Sequence, residues 1–149
     1  MIATRFAVSL HILTLVARGP TEQSTSARIA WSIGTNPVVV RRLSGLLARA
    51  GLITVQRGPG GASLSRPASA ISLRDVWRAI HPEHDKVLRV HTRTNQACVV
   101  GERLPGLLRE RFAQAEAALL GDLASTTLAE LVASQGAEQR ETASAASVV

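Results

Sequence analysis

Between Met1 and Arg18 the apolar positions Phe6, Leu10, Leu13 and Ala17 recur at spacings of four, three and four, the period of one face of a helix. Gly19-Pro20 ends that pattern, and Ser24 or Thr25 is placed to cap a second helix carrying Ile29, Ala30 and Ile33. Gly34 stops it, because glycine accepts the left-handed conformation that a tight turn needs. Asn36-Pro37 predicts a third helix, a capping side chain followed by proline at the first helical position. Its buried stripe is Val40, Leu43 and Leu47, helped by Leu46 and Ala50, with Arg41, Arg42 and Arg49 largely off it and Gly51 at its end. Three short helices with a glycine turn between the second and third have the layout of a helix-turn-helix.

Two brief strands follow, Leu52-Ile53-Thr54-Val55 and Ala62-Ser63-Leu64-Ser65, joined by Gln56-Arg57-Gly58-Pro59-Gly60-Gly61. The joining segment is a hairpin tip whose only long cationic side chain is Arg57. Beyond Pro67, Ser72-Leu73-Arg74-Asp75 has the spacing of a capping box and opens a helix with Val76, Trp77 and Ile80. Residues 81–103 are less regular. From about Leu104 to Leu120 a long amphipathic helix is expected, with Leu104, Leu108, Phe112, Ala115 and Leu119 near heptad spacing. Thr127-Leu128-Ala129-Glu130 caps a last short helix, and the stretch from Gln135, rich in Ala, Ser, Glu and Gln, is expected to be a disordered tail. The fold class is therefore mainly α with a small β-hairpin wing. Three regions are expected: 1–66, a winged helix-turn-helix; 67–134, a linker helix, an irregular loop and the long helices; and the tail, 135–149.

Charge sharpens this division. Of the net +6 on 149 residues, residues 1–66 carry eight arginines against the single acid Glu22, while residues 67–149 are close to neutral. A nearly acid-free basic half is the electrostatic footprint expected of a polyanion-binding surface. No apolar run reaches the 18 or more residues of a membrane span. The N-terminal apolar stretch is broken by Arg5, Ser9, His11 and Thr14, unlike a signal peptide. A single cysteine builds no internal disulfide framework, so a reducing cytoplasm is the expected location.

Enzyme chemistry finds little support. There is no phosphate-binding glycine loop ahead of a helix, no paired carboxylates and no nucleophile placed with a base. Cys98 reads either as an inert buried thiol or as a redox or metal sensor acting with His91, or with His11 of the partner subunit. His11 lies in an apolar helix, where a core histidine is the commoner reading. His81, Glu83, His84 and Asp85 form a cluster whose spacing is nonspecific for a metal.

Taken in order, several segments carry a resemblance. They are Arg5-Phe6-Ala7-Val8 with His11-Ile12-Leu13, Thr35-Asn36-Pro37-Val38-Val39-Val40-Arg41-Arg42-Leu43, Ala50-Gly51-Leu52-Ile53, and Arg57-Gly58-Pro59-Gly60-Gly61. Ile71-Ser72-Leu73-Arg74-Asp75-Val76 and Thr127-Leu128-Ala129-Glu130-Leu131 complete the set. Over nearly all of residues 1–134 the chain resembles the Rrf2 family of winged-helix regulators, and its Asn36–Arg42 run looks most like the YwnA-like subgroup.

The resemblance implies a homodimeric transcription regulator, a repressor by family habit, on double-stranded DNA with a pseudo-palindromic operator. The long helices would cross, and the third helix would enter the major groove with Asn36, Val39, Arg41 and Arg42 reading or positioning. Thr25, Ser26 and Arg28 would hold phosphates. Arg57, with Gly58 and Gly60 beside it, matches the family's wing arginine in the minor groove. Cluster-binding members carry three cysteines after the Ser72 helix, whereas this chain has Cys98 alone. The standard iron–sulfur site is therefore absent and no cofactor is expected, although unconventional metal or cluster ligation stays open. The rival reading is a winged-helix protein–protein module without specific operator binding, which would lack a steep salt dependence on duplex DNA.

Overall fold

Short-range signals set most of the boundaries. The computed structural model describes residues 2–19, 24–58, 60–81 and 86–136. Helix α1 spans Ile2–Arg18, α2 Ser26–Ile33 and α3 Pro37–Arg49. Thr25 is the N-cap of α2, its Oγ1 accepting from the Arg28 N–H at 3.4 Å, and Gly34 caps the other end at φ 73°. Asn36 caps α3 by accepting from the Val38 N–H at 2.8 Å, with Pro37 beginning the helix. Strands β1 (Ile53–Val55) and β2 (Ala62–Leu64) pair antiparallel, Ile53 opposite Leu64 and Val55 opposite Ala62. Both are shorter than the alternation predicts, because Leu52 and Ser65 join only through one backbone bond, Ser65 N–H to Leu52 carbonyl at 3.0 Å.

One core joins the elements on both sides of Pro67. Ile12, Leu13 and Val16 of α1 pack with Ile29 and Ala30 of α2, Val40, Leu43 and Leu47 of α3, Ile71, Leu128, and Val76 and Ile80 of α4 (Leu73–Ile80). The α3 stripe lies where its period puts it, except that Ala50 is exposed. The α1 stripe is rotated from its expected phase. Ser9, Ile12, Leu13 and Val16 are buried, while Phe6, Leu10 and Ala17 are only half-buried. Helix α1 is apolar around most of its circumference, so periodicity alone does not fix its inward face. His11 is a correction of the same origin. It is exposed rather than in the core, with Nε2 3.4 Å from Ser32 Oγ on α2. Edge-on contact of Phe6 with Trp77, at 5.1 Å between centroids and 78°, ties α1 to α4, and the His81 ring stands 3.9 Å from that of Trp77 at a tilt of 30°.

Two capping boxes stand back to back. Ser72 Oγ accepts from the Asp75 N–H at 3.1 Å and Asp75 Oδ2 accepts from the Ser72 N–H at 2.9 Å. Thr127 and Glu130 repeat the exchange at 3.3 and 2.9 Å, at the start of helix α6 (128–136). Ser72 and Thr127 are themselves antiparallel bridge partners, with the Leu73 N–H donating to the Thr126 carbonyl and the Leu128 N–H to the Ile71 carbonyl, at 3.0 and 2.8 Å. Burial pulls the Asp75 carboxyl upward, but the Ser72 hydrogen bonds together with Arg66 and Arg74 outweigh it and hold the group below its ordinary value.

Helix α5 runs Val99–Ser125, longer at both ends than the expected 104–120. Its start is set by Asn95, whose side chain accepts from the Ala97 N–H at 3.0 Å and whose carbonyl accepts from the Cys98 N–H at 3.1 Å. Pro105 is accommodated inside the helix, where its missing N–H costs one bond to the preceding turn. Gln135 and Gly136 belong to α6, so the tail does not begin at 135, and Arg18 Nη1 donates to Gln135 Oε1 at 3.1 Å. The remainder of that tail, and Glu83, His84 and Asp85 of the histidine cluster, lie outside the described residues.

Candidate nucleic-acid interface

The third helix presents its first turn outward because its buried stripe faces α1 and α2. Val38 and Val39 are exposed at 60% and 41%, beside exposed Asn36, Arg41 and Arg42. Asn36 Oδ1 is engaged as the cap, which leaves its amide nitrogen as the group available to a base or phosphate. Arg41, Arg42 and Arg57 make no ion pair with any described residue. Uncompensated cations on one side of a helix-turn-helix are arranged for an external anion.

At the wing, the Gln56 N–H donates to the Gly61 carbonyl at 2.9 Å, and Gly58 and Gly61 adopt φ 82° and 65°. Side chains other than glycine rarely accept those angles, so the turn exposes Arg57 with little bulk beside it. Gly60 is half-buried next to Gly61.

The expected phosphate set divides in two. Thr25, Ser26 and Arg41 meet Gly58 around a cleft between α2, α3 and the wing. Arg28 does not join them: its guanidinium lies 4.5 Å over the ring of Trp31, which is 73% exposed, on the side of α2 nearer Arg18 and Leu15. The cleft also takes in Ser24, expected only as a helix cap, and Ser44, Gly45 and Ala48, to which the sequence pattern assigns no role. The signal was present in the small residues following Arg41 along one helical face, at intervals of three, four and seven. Val38 and Trp31 were missed as well, since a sequence pattern reads exposed apolar residues as core.

Cys98 is exposed in the single chain, at the N-terminus of α5. The N–H groups of Gly101 and then Val100 face its sulfur and lower the thiol pKa. His91 is exposed, and His11 bonds Ser32 instead of approaching Cys98 within the chain. Among the described residues no three His, Cys, Asp or Glu side chains come together to hold a metal ion. None of their helices is long and apolar enough to cross a membrane.

Comparison with known proteins agrees with this geometry. The Rrf2 family, described as iron-dependent transcriptional regulators, matches residues 2–134. The chain is 39% identical over 132 residues to YwnA of Bacillus subtilis, named as an HTH-type transcriptional regulator, covering 89% of this chain and 97% of YwnA. A crystal structure titled as a DNA-binding protein superposes with a TM-score of 0.69 at 36% identity, over 85% of this chain and 97% of the other. CymR, titled the global cysteine regulator of B. subtilis, superposes with a TM-score of 0.62 at 25% identity, over 87% and 94% of the two chains. The iron in the family's description finds no fitting ligand set among the described residues, where Cys98 stands at the surface without a second thiol.

Proposed function

This chain belongs to the Rrf2 family of transcriptional regulators, and from that premise we propose that it is a homodimeric repressor of a pseudo-palindromic operator. The observation that carries the reading is the set of exposed arginines Arg41, Arg42 and Arg57 on α3 and the wing, with no ion-pair partner among the described residues. The start of α3 enters the major groove, where Val38 and Val39 suit a thymine methyl and Asn36, Arg41 and Arg42 suit base edges and phosphates. Arg57 reaches an adjacent minor groove, and Thr25 and Ser26 meet the backbone beside α2. Dimerisation through α5 is supported by Val99, Val100, Leu104 and Leu107, apolar residues left exposed on a helix of 27 residues.

Arg57→Ala tests the wing. Binding to an operator recovered by selection from genomic DNA should weaken by about 1–3 kcal/mol in a titration at fixed salt. Unchanged affinity removes Arg57 from the interface. A second reading concerns control and rests on the lowered pKa of exposed Cys98. Its thiolate attacks a peroxide oxygen, giving a sulfenic acid and releasing the other oxygen as hydroxide or water. Loss of operator binding on peroxide treatment, abolished in Cys98→Ser, is the expected signature.

A further inference from the structure

The cleft between α3 and the wing encloses about 460 Å³, within the range of small-molecule sites and more than a rim of phosphate contacts requires. It is lined by Ser44, Gly45 and Ala48 along one face of α3, by Ile29 and Ala62, and by Val55 of the wing. Ile29 and Ala62 are 1% and 5% exposed, whereas Val55 is 51% exposed. A phosphate diester seated against that interior would lose its hydration to apolar walls. The walls favour an apolar body instead.

Three observations say that the space is kept open for an occupant. Glycine weakens a helix interior relative to alanine, yet nothing among the described residues needs the missing Cβ of Gly45. A Cβ there would meet only Arg49 Nη1, at an ordinary 3.7 Å. Ser24, which lines the cleft, is 3% exposed and its Oγ has no hydrogen-bond partner among the described residues, an uncommon state for a buried hydroxyl. Among the described residues lining the cleft Arg41 is the one that carries a charge, and the start of α2, with Thr25 and Ser26, adds the positive end of a helix dipole. The polar end of the occupant is thus anionic.

We propose that this cleft is a binding site for a small carboxylate with an apolar body, its head on Arg41 and the start of α2 and its body between Ala48, Ile29 and Val55. An occupant here touches α3 and the wing at once and occupies Arg41. By the DNA-binding reading above, on which only this consequence rests, such a ligand and DNA exclude one another.

Sodium benzoate, benzamide and inorganic phosphate serve as probes in amide-resolved NMR titrations of the full chain. Benzoate should shift the Ser26, Gly45 and Gly58 resonances saturably. Benzamide, lacking the charge, and phosphate, lacking the apolar body, should each bind at least tenfold more weakly. Arg41→Ala should abolish the benzoate response, as should Ala48→Phe, which fills the cleft; their dispersed spectra report that both fold. If benzoate leaves these resonances unmoved up to its solubility, or if benzamide or phosphate matches it, the proposal is overturned. A parallel titration with mixed-sequence duplex DNA at low salt reports the DNA reading separately, since benzoate binding needs no DNA.

Discussion

Replacing Gly45 by alanine adds one methyl group to the open face of α3. Intrinsic helix propensity favours the change by about 1 kcal/mol in an exposed helix interior. The part that comes from restricting the unfolded chain is about 0.4–1 kcal/mol. These are two views of the same gain, not a sum. Against it stands a single contact, Arg49 Nη1 at 3.7 Å, which is ordinary van der Waals distance to the end of a flexible side chain. The net expectation is therefore a stabilisation of about 0.5–1 kcal/mol. For a chain of 149 residues that corresponds to a midpoint raised by roughly 1–4 °C. Thermal unfolding followed by circular dichroism, with wild type and variant at one protein concentration, measures it, because association shifts the midpoint by mass action. A lowered midpoint would mean that the fold itself uses the space beside Gly45, and the open-cleft argument would fall with it. A raised midpoint with weakened benzoate binding would show stability exchanged for a site.

Three further outcomes follow. Alkylation of Cys98 by iodoacetamide should reach half its maximal rate at a lower pH than a cysteine in an unstructured peptide, because the N–H groups of Gly101 and Val100 favour the thiolate; coincident profiles would contradict that role. The Asp75 carboxyl is held low in the folded chain, so its stabilisation is present above the unfolded value of about 3.9 and is lost as pH falls through the folded value. Asp75→Asn should cost about 1 kcal/mol at neutral pH and flatten the acid limb of the stability curve, read from urea titrations at pH 3 to 7. Gly101→Ala should destabilise the start of α5, since a Cβ there would stand 2.5 Å from the Asn95 carbonyl oxygen, and faster hydrogen exchange of the Glu102 amide is the readout.

Elements bounded by a chemical stop were legible from the sequence. Thr25, Gly34, Asn36-Pro37 and Ser72–Asp75 act within four residues, and each lies in the structure as its chemistry requires. Orientation was legible only where polarity breaks a helix into two faces. Helix α3 has arginines to do so, whereas α1 does not, and its inward face and His11 were accordingly misplaced. The start of α5 depends on an Asn95 turn that no hydrophobic period records, and Pro105 lies where a helix start is the simpler reading. Of the interface, the cations stood out by composition. The cleft did not, because it is made of residues chosen for being small, and its far wall comes from a hairpin about ten residues away in the chain.

The bridge between Ser72 and Thr127 has a mechanical meaning. It fastens the two residues that follow α5, Thr126 and Thr127, to the N-cap and first residue of α4, which rests on α1 and α3. Helix α5, at 27 residues, is about 40 Å long. With Thr126 as the fulcrum, Cys98 stands at its far end. A tilt of about 5° at the fulcrum carries the far end through roughly 3.5 Å, from that helix length. Read in the other direction, a displacement at the Cys98 end would be felt through this bridge at α4, and through α4 at α1 and α3 on which it rests.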